Sequence, residues 1–316
     1  MTINFNQLRI FYHAAKSLSF TEAARNLFIT QPAVTAQVRA FEGYCDIKLF
    51  KKRGRKVYLT NEGKALYDYA KRVFEYERDI ENVIEDMREL KRGLLRIGTT
   101  KTYARYFMPF MITNFHQKYP RIKIRLDEGS SLDMVDRLLE FKNEVAIIAR
   151  GEANPEVCFI PFSQEELVVI LAPEHPLARK ARVSMEELAE EPIIMKEIGS
   201  GTRKIISQLF AEKGLTPTVL MDSSNAEFIK QLVQRGEGVS FLVKEAVAVE
   251  LREEKLITVP LEGPKIFLDV SIAYLKDQPL SPPAKAFLDI LERITPMGKP
   301  PRGIGAIMAE ILARRK

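Results

Sequence analysis

At 316 residues the chain is long enough for two domains or more. Two scattered cysteines, Cys45 and Cys158, exclude a disulfide framework, and no apolar run approaches the roughly eighteen residues of a membrane helix. The net charge of +6 is uneven: residues 1–60 hold ten Lys and Arg against three Asp and Glu, a surplus of seven. The first residues lack a basic stretch followed by an apolar core, so no signal peptide is expected and the reading is a soluble, cytoplasmic protein. The two thiols read as small buried side chains rather than a redox pair.

The first helix is expected over residues 5–16, with Leu8, Phe11, Tyr12 and Ala15 inward. A second starts at Ser19, where Glu22 three residues on predicts a capping box. Ala23, Ala24 and Leu27 form its apolar stripe, and the two alanines allow a close crossing. Thr30 can cap a third helix, and Pro32 sits in its first turn, where a missing N–H costs nothing. Val34, Val38 and Phe41 are its buried side. Gln31, Ala33, Thr35, Ala36, Gln37 and Arg39 are its opposite face, short or hydrogen-bonding groups suited to base edges and phosphates. Two short helices joined by a tight turn are how a chain puts a helix into the major groove of DNA. Lys51, Lys52, Arg53, Gly54, Arg55 and Lys56 then form the basic tip of a hairpin, a wing able to neutralise phosphates.

Residues 8–63 resemble the N-terminal winged helix-turn-helix of LysR-type transcriptional regulators. The landmarks are Leu8, Phe11, Ser19-Phe20, Ala23-Ala24, Leu27, Thr30 to Thr35, Glu42, Leu49-Phe50, Leu59-Thr60 and Gly63. Three positions depart from the family pattern: Phe41 for Leu, Cys45-Asp46 for Leu-Gly, and Lys52 for Arg. Asp46 must make its turn without the usual glycine, and Lys52 keeps the charge but loses the planar fork. The DNA-facing set is Thr30, Gln31, Pro32, Thr35, Gln37 and Arg39, with Arg53 and Arg55 on the wing.

A linker helix is expected over residues 61–91, which contain no proline, with Thr60 as N-cap. Leu66, Tyr69, Val73, Tyr76, Ile80, Val83, Met87 and Leu90 alternate spacings of three and four. Such a narrow stripe on a polar helix needs a partner along its length, on its own domain or on a second subunit; the sustained seam favours the subunit. Thirty-one residues would span on the order of 46 Å. In the resembling family this helix pairs two subunits. The residues named for dimerisation are Leu66, Val73, Ile80, Val83, Met87 and Leu90, in a homodimer or homotetramer.

From Leu94 the pattern alternates strands and helices, a doubly wound α/β arrangement. Strands are predicted at 94–98, 122–126, 145–149, 167–172, 193–195, 218–221, 239–242 and 267–275. Helices are predicted at 103–118, 131–141, after 184, 202–213, from 225, and 283–294. Two lobes with chain crossings near 161–167 and 265–275 resemble the effector domain of the same family, itself like a periplasmic binding protein. Glu144 stands where the family has Asp. The fold class is therefore α/β, an N-terminal all-α winged helix-turn-helix and long linker helix followed by a two-lobed doubly wound effector-binding domain. The expected boundaries are 1–60, 61–92, 93–297 (lobe I 93–161 and 268–297, lobe II 162–267) and a C-terminal extension at 298–316.

Ligands of open α/β sheets sit at the carboxyl ends of strands, facing helix N-termini. Those junctions hold Thr99, Thr100, Lys101 and Thr102; Gly129, Ser130 and Ser131; Arg150 and Gly151; Gly199, Ser200, Gly201, Thr202 and Arg203; and Ser223, Ser224 and Asn225. Hydroxyls, free N–H groups and cations converging there suit a small anionic effector. Each Ser or Thr taken alone is more often an ordinary cap than a ligand contact. The effector set is Thr99, Thr100, Lys101, Thr102, Ser130, Ser131, Arg150, Ser200, Gly201, Thr202, Arg203 and Ser224.

His13, His116 and His175 lack the spaced partners of a metal site or a nucleophile–base pair. No P-loop or dinucleotide fingerprint is present, so no cofactor, metal or catalysis is expected. The alternatives are an α/β enzyme fused to a DNA reader, and a ligand-independent DNA-binding protein. Expected partners are a two-part double-stranded DNA operator, the effector, a second copy of the chain and RNA polymerase, with no membrane. After Pro300-Pro301, Ile304, Ile307, Met308, Ile311 and Leu312 recur at helical spacing and the chain closes on Arg314-Arg315-Lys316. This segment extends past the resembling family's usual end. Docking on its own or a neighbour's effector domain is favoured over membrane-surface binding.

Overall fold

The computed structural model describes residues 2–54, 56–150, 154–294 and 303–313, the last stretch with side chains through Met308. Arg55, Gly151, residues 295–302 and 314–316, and the side chains of Ile311 and Leu312 lie outside the described residues. The chain divides into two compact units, Met1–Asp86 and Met87–Lys316.

The first unit holds α1 (Phe5–Ser17), α2 (Phe20–Asn26), α3 (Gln31–Cys45), a hairpin of β1 (Phe50–Arg53) and β2 (Lys56–Leu59), and most of α4 (Asn61–Arg88). Asn4 caps α1, its side chain accepting from the N–H groups of Asn6 and Gln7. At α2 only half of the expected capping box forms. Ser19 Oγ accepts from Glu22 N at 3.3 Å, but the Ser19 N–H goes to Ser17 Oγ at 3.3 Å, which leaves nothing for Glu22 to satisfy. Ala23, Ala24, Val34 and Val38 are buried together, and Leu8, Phe11, Tyr12 and Phe41 form the adjoining core. Asp46 ends α3 in the left-handed region at φ 53°, a conformation Asp tolerates better than bulkier residues.

Helix α4 has two stripes. The inner one, Gly63, Leu66, Tyr67, Ala70 and Phe74, closes the core of this unit. Gly63 is required there, because a Cβ would lie 2.1 Å from Leu49 O. The outer one, Tyr69, Val73, Tyr76, Ile80, Ile84 and Met87, is exposed, with Tyr76 at 70% and Ile80 at 60%. Two residues of the expected seam are thereby reassigned. Leu66 belongs to the inner stripe. Leu90 lies past the end of α4 at φ 58° and packs half-buried against the core of the second unit. The helix stops at Arg88, three residues earlier than the spacing alone suggests.

The second unit adds β3 (Gly93–Thr100), α5 (Lys101–Tyr106), α6 (Met108–Lys118), β4 (Ile122–Gly129), α7 (Ser131–Leu139), β5 (Val145–Ala149), β6 (Val157–Leu171), α8 (Met185–Ala189), β7 (Ile193–Lys196) and α9 (Gly201–Glu212). It continues with β8 (Val219–Ser223), α10 (Ala226–Gln234), β9 (Val239–Val243), α11 (Ala248–Arg252), β10 (Ile257–Thr258), β11 (Ile266–Leu275), α12 (Pro282–Ile294) and α13 (Ile304–Ala313). The single helix predicted over 103–118 is two helices broken at Phe107. Pro109 cannot donate to the preceding turn and its ring crowds it.

Among the described residues these strands form one nine-stranded sheet in the order β4-β3-β5-β11-β6-β9-β7-β8, with β10 beside β6. In lobe I, β3 runs parallel to β4 and β5; in lobe II, β7 runs parallel to β8 and β9. β6 and β11 pair antiparallel from Ile266↔Leu167 to Leu275↔Val157, with a register shift between Val270 and Ser271. They run through both lobes, so the lobes share one sheet.

Glu42 fastens the wing to α3. It is 7% exposed and accepts from Leu49 N at 2.8 Å, Phe50 N at 3.1 Å and Lys48 Nζ at 3.2 Å. Burial alone would raise its carboxyl, but those three donors outweigh burial and hold it below its ordinary 4.5. A lowered folded value stabilises the fold fully above the unfolded value, and the effect is lost as pH falls through the folded one. Glu42→Ala strands two backbone N–H groups and is expected to cost about 1–3 kcal/mol. Denaturant titrations of both proteins should show that gap at pH 7 and see it shrink on acidification below the ordinary carboxylate range.

Candidate functional site

In the first unit α3 turns Gln31, Pro32, Gln37 and Arg39 to solvent. Thr30 caps the helix, its Oγ1 accepting from Ala33 N at 3.4 Å. Thr35 is half-buried and tied to Gln31: its hydroxyl donates to Gln31 O at 3.1 Å and accepts from Gln31 Nε2 at 2.8 Å. Gln37 Oε1 accepts from Gln7 Nε2 of α1 at 3.2 Å. Gln7 is a contributor that reading α3 alone misses, since the pair is thirty residues apart. Arg53 is exposed on β1, and Lys52 Nζ stands 5.9 Å from the centre of the Phe20 ring. That cation–π contact links the hairpin to α2.

The second unit holds a narrow cleft between its lobes that is partly open to solvent. Thr100, Lys101, Thr102, Ser130, Ser131, Ser200, Gly201 and Thr202 all line it. Local backbone explains the convergence, because each group follows a strand and opens a helix: β3 into α5, β4 into α7, and the turn after β7 into α9. Gly201 is tightly fitted there, since a Cβ would come 2.4 Å from Ala149 Cβ. Thr100 and Ser200 are N-cap residues whose hydroxyls make no cap hydrogen bond. Ser131 Oγ is buried without a hydrogen-bond partner among the described residues.

Five of the expected residues are differently engaged or placed. Thr99 is fully buried and donates its hydroxyl to Ile147 O at 2.9 Å, so it ties β3 to β5 and does not line the cleft. Ser130 lines the cleft, but its hydroxyl is spent in a capping box with Asp133. Arg203 is ion-paired with Asp222 and donates to Lys196 O at 3.1 Å. It lies with exposed Arg150 in an adjoining outer hollow beside Leu132 and Ile198. Ser224 borders a further hollow and reaches the cleft only through lysines, accepting Lys101 Nζ on Oγ at 2.6 Å and Lys196 Nζ on its carbonyl at 2.7 Å.

Lys196 and Glu197 are lining residues that the junction list omits. Lys196 ends β7 and Glu197 follows it, so the rule that finds Thr100 also points to them. Lys196 is 8% exposed and 3.0 Å from Glu197 Oε2. Burial lowers its ammonium below 10.5; Glu197 opposes this and the nearby charge of Lys101 adds to it. Two ammonium groups thus share a cavity with one carboxylate, which makes the cavity receptive to an anion. The lobes touch on both flanks. Leu132 N donates to Gly199 O at 3.4 Å, and Tyr106 and Arg105 of lobe I reach Glu227 of lobe II, each at 3.3 Å.

His175 Nδ1 accepts from Leu177 N at 3.2 Å as a cap, and among the described residues no group of three His, Cys, Asp or Glu could hold a metal. No described helix is long and apolar enough to cross a membrane.

Comparison with known proteins extends these observations. A family profile described as "Bacterial regulatory helix-turn-helix protein, lysR family" matches residues 5–64, and one described as "LysR substrate binding domain" matches residues 88–295. The HTH-type transcriptional activator CmpR of Synechocystis is 35% identical over 286 residues, covering 90% of this chain and 94% of its own. The oxidized form of OxyR from Corynebacterium glutamicum has the same fold, with a TM-score of 0.76 at 21% identity over 93% of each chain. The effector binding domain of QuiR, in complex with shikimate, matches 64% of this chain and 96% of its own, with a TM-score of 0.59 at 26% identity.

Proposed function

We propose, on the premise that this chain belongs to the LysR family of transcriptional regulators, that a small anion bound in the cleft adjusts how a pair of its DNA readers engages a two-part site on double-stranded DNA. The chain is a DNA-binding transcriptional regulator with an effector domain and not an enzyme. It acts in the cytoplasm, where RNA polymerase is its further partner.

One observation carries the anion reading. Lys101 and Lys196, the buried unpartnered hydroxyl of Ser131, and the N-termini of α7 and α9 face a single cavity. That QuiR's domain holds shikimate, a small carboxylic acid, is in keeping with it. The exposed outer stripe of α4 supports pairing of two chains as homodimer or homotetramer through Val73, Ile80 and Met87, with half-buried Val83 beside them. The effector acts by population shift, favouring one relative setting of the lobes and with it one arrangement of the paired readers.

A thermal-shift screen of small carboxylates, phosphate and sulfate should find anions that raise the melting temperature, since ligands of the folded state alone stabilise it. Lys101→Met should abolish the rise while leaving DNA binding; a screen in which no anion stabilises the protein would sink the anion reading. Gln31→Ala with Arg39→Ala should lose the sequence-specific footprint and keep the helical circular dichroism, whereas an unchanged footprint would reassign the reading face. Ile80→Asp puts a charge in the outer stripe and should shift the sedimentation profile toward monomer and weaken binding to a two-part site at least tenfold, equivalent to about 1.4 kcal/mol. An unaltered profile would move the dimer contact elsewhere.

A further inference from the structure

The start of α13 is docked and meets a buried carboxylate. Gly303 N donates to Gln164 O at 2.7 Å, and Ile304 N donates to Glu165 Oε2 at 3.1 Å. Ile304 and Ile307 are 2% and 0% exposed, in the same apolar core as Tyr103 and Phe107. Glu165 is fully buried, and its other oxygen accepts from the hydroxyls of Tyr103 and Ser163. A second carboxylate crowds the same turn. A Cβ at Gly303 would stand 2.4 Å from Glu245 Oε1 and 3.8 Å from Glu165 Oε2, and Gly303 has φ 82°, so both space and backbone select glycine.

A buried carboxylate needs compensation. Here the N-terminal N–H and positive dipole end of α13 supply it to Glu165. Burial and the charge of Glu165 push Tyr103 well above the usual phenol value, so its hydroxyl stays protonated and remains a donor. The same two causes raise the Glu245 carboxyl. Tyr103 also lines the cleft, directly after Lys101 and Thr102.

We infer that the C-terminal helix is part of the sensing apparatus: α13 holds Glu165, Glu165 holds Tyr103, and Tyr103 forms the cleft wall, so helix docking and cleft occupancy bias one another. The docked helix offsets negative charge behind the cleft and so favours an anion within it. Linkage makes the bias reciprocal. This inference rests on the cleft being the effector site, as proposed above.

Hydrogen–deuterium exchange on the full chain tests the coupling without any effector. Tyr103→Phe keeps the ring and its packing and removes only the hydroxyl bond. The amides of residues 303–308 should then exchange at least about fivefold faster, the lower end of ordinary coupling. Gly303→Val forces a β-branched side chain into a positive φ. It should speed exchange in Lys101–Tyr106 while leaving Ile193–Lys196 unchanged. No response in either direction, or an acceleration that includes Ile193–Lys196, would overturn the inference. An empty anion screen would fail the cleft reading separately and leave both exchange results readable.

Discussion

The antiparallel pairing of Val157–Leu171 with Ile266–Leu275 is the constraint on which the second unit depends. Each of these strands begins in one lobe and ends in the other. Their outer edges then recruit β5 on one side and β9 on the other. Two continuous strands thus join the lobes, an architecture suited to a hinge. The register shift at Val270 and Ser271 lies at the crossing, and Leu268 and Val270 line the cleft beside it. The floor of the cleft and the crossing between the lobes are therefore the same stretch of chain.

Two buried carboxylates serve as fasteners, one between neighbouring elements and one between elements distant in sequence. Glu42 on α3 receives backbone N–H groups from the start of the wing, and Glu165 on β6 receives one from the start of α13. In both cases a buried carboxyl oxygen accepts N–H groups from the start of another element. Such bonds exceed neutral ones in strength and leave an expensive orphan when one side is lost. Glu144 does similar work at the base of lobe I, accepting from Ser281 N at 3.1 Å ahead of α12. Its extra methylene relative to Asp does not prevent that reach.

Periodicity and caps made the helical elements legible, since Ser19, Thr30, Ser130 and Ser184 all sit at helix starts. Strand ends made much of the cleft legible, because a strand-to-helix junction aims its side chains in a way that sequence order preserves. What sequence hid was tertiary engagement. Thr99 and Thr100 are neighbours of one residue type, yet the pleat turns the first into the sheet and the second into the cavity. Arg203 looked available until Asp222 was brought beside it from β8. The inner stripe of α4 was masked by a neighbouring stripe of nearly equal period, and only packing against α1 tells Phe74 from Val73. Pro109 was readable and overrides the continuous pattern around it.

Ser224 accepts both lysines of the cleft, one on its hydroxyl and one on its carbonyl. An ammonium carries three N–H donors, so each lysine keeps capacity beyond its bond to Ser224. One residue after β8 therefore sets where both cations of the cleft stand, although Lys101 and Lys196 come from different lobes.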